Sequence, residues 1–137
     1  MSAQAAAALA LEALAAGHAV RLRARGASMV PFVQDGDVLI LAPDAAHAGI
    51  GDLVLVPRGD FGVVHRIVAR LGQRVCVKGD ALPVPDGWFD RRRLPARVVG
   101  IERGETLVAL RPWAAVPRSL LTAPLRAAVG LVRARSA

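Results

Sequence analysis

Tyrosine is absent from this chain and aromatic residues make up only 4% of it, so a hydrophobic core has to be assembled mainly from Val, Leu, Ile and Ala. Branched aliphatic side chains suit pleated surfaces, which points the valine-rich middle toward strands. Cysteine is nearly absent too: with Cys76 alone, no internal disulfide can form. Its setting in Arg74-Val-Cys-Val-Lys reads as a small core residue on a strand rather than a reactive thiol. Also missing is an uninterrupted apolar run of the roughly 20 residues that a membrane-crossing helix needs. The Ala-rich opening, residues 3–16, is shorter and carries Glu12, and no basic segment precedes it as in a secretory signal. The stretch from Leu107 to Val132 is broken by Arg111, Pro112, Pro117, Arg118, Pro124 and Arg126. The expectation is a cytoplasmic protein without a transmembrane anchor, with peripheral contact to anionic membrane through the tail 117–137.

Lysine occurs once, at Lys78, so the formal charge of +7 and the pI of about 11.5 are carried almost wholly by arginine. That balance permits binding to nucleic acid, anionic lipid or an acidic peptide without choosing among them. The 137 residues suffice for a single domain, with its core at about 20–110.

Alanine and leucine dominate residues 3–16 and Gly17 follows, which predicts a short N-terminal helix. From Val20 to Arg25 apolar and basic residues alternate with period two, as in a half-buried strand entering Gly26. Asp37-Val-Leu-Ile-Leu-Ala and Asp52-Leu-Val-Leu-Val are short apolar runs that read as buried strands. Phe61 to Ala69 and Gln73 to Lys78 predict a hairpin around Leu71-Gly72. The Pro-, Asp- and Arg-rich section Ala81–Leu94 reads as loop, followed by strands at 96–102 and 106–110. After Pro117 a helix is expected, covering the sheet. Many short strands with little helix between them imply a mainly β fold with an antiparallel sheet or small barrel.

Ser28 lies between Gly26 and Pro31 in the loop after the first strand, where a hydroxyl can be held in fixed geometry. Serine needs a base within hydrogen-bond reach, and the candidates are His18, His47, His65 and Lys78. His18 and His47 fall in loops. His65 is set inside the apolar run Val63-Val-His-Arg-Ile-Val, where a polar imidazole must find partners. A neutral imidazole acting as base also needs its other nitrogen fixed, usually by a carboxylate, and Asp80 and Asp86 both follow the hairpin that holds His65.

The ordered set Gly26-Ala-Ser-Met-Val-Pro, Asp35-Gly-Asp, Gly51-Asp-Leu-Val, Val64-His-Arg-Ile-Val, Val77-Lys-Gly-Asp and Val99-Gly, spanning about residues 20–102, resembles the signal peptidase I superfamily, and more narrowly its Ser–His branch. The resemblance implies the coiled, all-β fold shared with LexA-type self-cleaving repressors. It assigns Ser28 as nucleophile, His65 as general base and Asp80 as the acid orienting His65, with Asp86 as the alternative. Lys78 falls in the Lys-Gly-Asp motif and not at the position of that superfamily's catalytic lysine. Where many relatives carry an oxyanion-holding serine, this chain has Gly26, which leaves main-chain N–H groups, including that of Ser28, for the task.

The implied activity is a serine endopeptidase that removes a leader or signal-like segment from a peptide or protein, bound as an extended strand and with small residues before the cleaved bond. No metal or organic cofactor is implied, and no nucleic-acid partner is expected, because twenty-odd residues ahead of the core are too few for a helix-turn-helix unit. The rival reading is a non-catalytic module of the same fold that binds nucleic acid or anionic membrane through its basic surface.

Overall fold

The computed structural model describes residues 2–108 and the backbone of 126–133. One helix, α1 (Ala3–Ala15), opens the chain, capped by the Ser2 hydroxyl, which accepts the Ala5 N–H at 3.1 Å. Among the described residues nine strands follow: β1 (Val20–Arg25), β2 (Val38–Ala42), β3 (Leu53–Arg58), β4 (Phe61–Leu71), β5 (Arg74–Lys78), β6 (Gly87–Asp90), β7 (Ala96–Arg103), β8 (Thr106–Leu107) and β9 (Arg126–Arg133). They form one open sheet in the order β6-β5-β4-β3-β7-β2-β1-β9, with β8 paired to β7. All pairings are antiparallel except β1 with β9, which is parallel. The fold is therefore mainly β with a short N-terminal helix, as the period-two and short apolar runs imply.

Apolar runs without alternation become strands buried on both faces. In β3, Leu53 and Leu55 join Ala10 and Leu14 of α1, with Leu22, Leu39, Leu41, Phe61 and Ile101, in the main core. Between them, Val54 and Val56 point the other way, into a second cluster with Val63, Ile67, Val75, Val77 and Leu94. In β2, Leu39 and Leu41 face the main core while Ile40 and Ala42 meet Val99 in a third cluster.

Two expected elements differ. The 81–94 section is not all loop: Gly87–Asp90 adds β6 to the open side of β5, and residues 91–93 form a turn of 3₁₀ helix. Phe89 drives this pairing by packing against the second cluster, a contact that the surrounding Pro, Asp and Arg residues conceal in the sequence. The expected C-terminal helix is replaced over 126–133 by β9. Gly130 disfavours helix, Val129 and Val132 favour strand, and β1 offers an edge whose backbone groups need partners. Residues 109–125 and 134–137, and with them the rest of the proposed tail contact and the end of the expected 106–110 strand, lie outside the described residues. Among the described residues, no helix is long and apolar enough to cross a membrane.

Burial on both faces has a measurable consequence for neighbouring residues of β3. Leu55→Ala should cost about 2–5 kcal/mol in urea unfolding. Val54→Ala, which faces the opposite way, should also cost about 1.5–3 kcal/mol; a neutral Val54 variant would mean that one face of β3 is solvated.

Candidate active site

The loop between β1 and β2 carries Ser28 and is clasped at both ends. Gly26 leaves β1 with φ +95°, a left-handed backbone that residues with a Cβ rarely adopt. Its N–H donates to Asp35 Oδ1 at 2.9 Å. At the far end the Asp37 carboxylate accepts the Gln34 N–H at 2.8 Å and two N–H groups of Arg103 at 3.0 and 2.9 Å. Arg103, from β7, also donates to the Phe32 carbonyl at 3.0 Å. Burial opposes the charge on Asp37, but the bonds from Arg103 and Gln34 outweigh it and hold the carboxyl below its ordinary value of 3.8. The two carboxylates of Asp35-Gly-Asp thus fix the serine loop, one at each end.

His65 lies in β4 between Val63 and Ile67 of the second cluster, and neither it nor Ser28 has exposed surface. Ser28 Oγ is 2.9 Å from His65 Nε2, and Asp86 Oδ2 is 2.5 Å from His65 Nδ1. An ionised carboxylate only accepts hydrogen bonds, so Nδ1 carries the proton and donates it, leaving the Nε2 lone pair to accept from the Ser28 Oγ–H. Asp86 arrives just before β6, with its own N–H donating to the Val77 carbonyl at 2.7 Å. Its second oxygen, Oδ1, accepts from Arg58 Nη2 at 3.0 Å.

The structure therefore brings together Ser28, His65 and Asp86, and not Asp80. The expectation that Asp80 orients His65 is corrected: its two oxygens are taken by Arg66 Nε and Nη2 at 2.9 and 2.8 Å. Arg66 follows His65 on the strand, so its side chain leaves the opposite face and carries Asp80 away from the imidazole. The same guanidinium donates to the Gly51 carbonyl at 2.8 Å and lies 4.8 Å from the Phe32 ring centre. The pair is a brace joining β4, the turn after β5 and the serine loop.

Gly79, in Lys78-Gly79-Asp80, has a steric reason. A Cβ there would stand 3.0 Å from each of His65 Nε2, the Ser28 carbonyl oxygen and a Leu82 methyl. The Ala81 N–H donates to that Ser28 carbonyl at 2.8 Å, so the 79–82 turn is packed against the Ser–His pair. Lys78 Nζ donates to the Gly79 carbonyl at 3.1 Å. His47 is mostly exposed and bonded to Asp44 at 2.7 Å, His18 sits between α1 and β1, and Cys76 is buried on β5. Arg58 is the contact that sequence reasoning misses, since an arginine after Pro57 at the end of an apolar run carries no mark of its reach to Asp86. Among the described residues no cluster of His, Cys, Asp or Glu is arranged to hold a metal ion.

No protein-family model matches the chain, and no curated protein matches it.

Two outcomes follow from this geometry. Because the Asp37 carboxyl sits below its ordinary value, its ionisation stabilises the fold above about pH 4 and that contribution disappears as pH falls through the lowered value. Asp37→Asn should therefore lower the Tm at neutral pH, with the gap to the wild type narrowing in melts below pH 4. Gly79→Ala should cost about 1–3 kcal/mol by overpacking and part Ser28 from His65, read as a change in the His65 ¹⁵Nε2 chemical shift; an unchanged shift would show that the turn yields instead.

Proposed function

We propose that this chain is a serine endopeptidase of the signal peptidase I type that removes a leader or signal-like segment from a peptide or protein. The observation that carries this reading is the hydrogen-bonded series Ser28 Oγ, His65 Nε2, His65 Nδ1 and Asp86 Oδ2, held in a buried setting. Serine at its ordinary basicity is a poor nucleophile, and a correctly oriented imidazole is what makes it competent. The tautomer fixed by Asp86 leaves Nε2 ready to take the hydroxyl proton.

Ser28 Oγ attacks the scissile carbonyl as its proton passes to His65 Nε2. The imidazolium, stabilised by Asp86, gives that proton to the leaving amine as the C–N bond breaks, which leaves an acyl ester on Ser28. Water then adds to the ester, with His65 again as base, and Ser28 is released. Main-chain N–H groups of the serine loop, including that of Ser28, are assigned to the developing oxyanion. Ser28 and His65 are buried, and the 79–82 turn packs against Ser28 through the Ala81 N–H. Substrate bound as an extended strand suits a sheet protein.

Mass spectrometry after treatment with a serine-reactive phosphonate tests the reading. Ser28 should be labelled in the wild type, not in Ser28→Ala, and only slowly in His65→Ala. Asp86→Asn should slow labelling by on the order of a hundredfold or more, by loss of the tautomer control. Asp80→Asn should act mainly on stability. A folded wild-type protein whose Ser28 is inert to the probe, combined with salt-dependent binding to DNA or anionic vesicles, would favour the binding-module reading instead.

A further inference from the structure

We propose that Arg58 is a positioning residue for the Ser28–His65–Asp86 series, acting through the Asp86 oxygen that His65 does not use. This rests on the peptidase reading of the same site. Asp86 has only 5% of its side chain exposed, so both of its oxygens need donors. Oδ2 receives the His65 Nδ1–H and Oδ1 receives Arg58 Nη2 at 3.0 Å. Arg58 is itself two-thirds covered, with 32% of its side chain exposed, so the pair is screened less than a surface ion pair.

The three partners come from separate parts of the chain. His65 is on β4, Asp86 ends the loop before β6, and Arg58 closes β3 at the turn leading to β4. A carboxylate held by one bond can turn about its last torsion and trade oxygens; held at both, it presents one oxygen to Nδ1 in a fixed direction. Arg58 thus ties the 81–86 loop down to the β3–β4 hairpin and keeps the His65 proton on Nδ1. The neighbouring Arg66–Asp80 pair makes no bond to the imidazole. The two Arg–Asp pairs divide the work, one bracing the turn and the other aiming the base.

The test compares wild type, Arg58→Met and Arg58→Lys, each first shown to be folded by its thermal melt; Arg58→Gln replaces the Met variant should that fail to fold. The first readout needs no substrate: the downfield ¹H resonance of the buried His65 Nδ1–H. The second is phosphonate labelling of Ser28, resolved into limiting rate and apparent affinity. Arg58→Met is expected to lose or shift the resonance and to lower the limiting rate on the order of tenfold, as for a misplaced catalytic group, with affinity unchanged. Arg58→Lys, which keeps a cationic donor, should restore most of both. A Met variant with wild-type resonance and rate would overturn the proposal, as would a loss confined to affinity. If the wild type does not label, the peptidase reading fails, while the proton resonance still decides whether Arg58 holds Asp86 in place.

Discussion

A histidine without exposed surface in the middle of β4 obliges the rest of the chain to supply two hydrogen-bonding partners from opposite sides. Leaving either ring nitrogen unsatisfied in that setting costs about 1–3 kcal/mol, a large share of the stability of a domain this size. One partner is Ser28 from the β1–β2 loop; the other is Asp86 from the loop before β6. Those loops are distant in sequence, so the requirement at His65 draws the β1–β2 loop and the loop before β6 to one position on β4. Gly79 is part of the same constraint, because a Cβ there would crowd His65 Nε2 and the Ser28 carbonyl at 3.0 Å.

The arginine excess has a structural use beyond overall charge. Asp37, Asp44, Asp80 and Asp86 each pair with an arginine from another element, namely Arg103, Arg97, Arg66 and Arg58. A forked guanidinium can hold two acceptors in fixed directions, which a lysine ammonium cannot. Arg103 uses this to grip Asp37 and the Phe32 carbonyl, and Arg66 to grip Asp80 and the Gly51 carbonyl. The loops that carry Ser28, Asp80 and Asp86 are thereby fixed to a sheet whose buried residues are mainly aliphatic. The basic composition, read from sequence as a feature of unspecified partners, is in part this internal bracing.

What the sequence revealed depended on whether the signal was local. The alternation in Val20–Arg25 and the runs around Leu39, Val54 and Val64 carry their strand character in adjacent residues, and the structure follows them. Ser28 and His65 stood out because each is a polar residue in a setting that demands explanation. Asp80 against Asp86 was not decidable in that way: both follow the hairpin within eight residues of Lys78. The answer lies in which face of β4 Arg66 occupies and where β6 begins, both products of pairing between segments far apart. The same holds for β6 and β9. Phe89 and the Val129–Val132 stretch have ordinary local propensities until an open strand edge lies beside them.

The glycine at position 26 is best understood from the backbone upward. With φ at +95° and its N–H held by Asp35, the residue turns the chain out of β1 and directs the next two residues toward His65. A serine there would add a hydroxyl donor but would have to occupy a left-handed conformation, at a cost of order 1–3 kcal/mol, or rotate the loop and with it Ser28. In this chain a side-chain oxyanion donor at 26 and the observed path of the serine loop therefore compete for the same backbone position. The main-chain donors of the proposed function avoid that conflict, since they need no side chain at 26 and belong to the loop that Asp35, Asp37 and Arg103 fix. The clasp on the loop and the proposed stabilisation of an oxyanion are in this sense one arrangement, set by the conformation that only glycine adopts without strain.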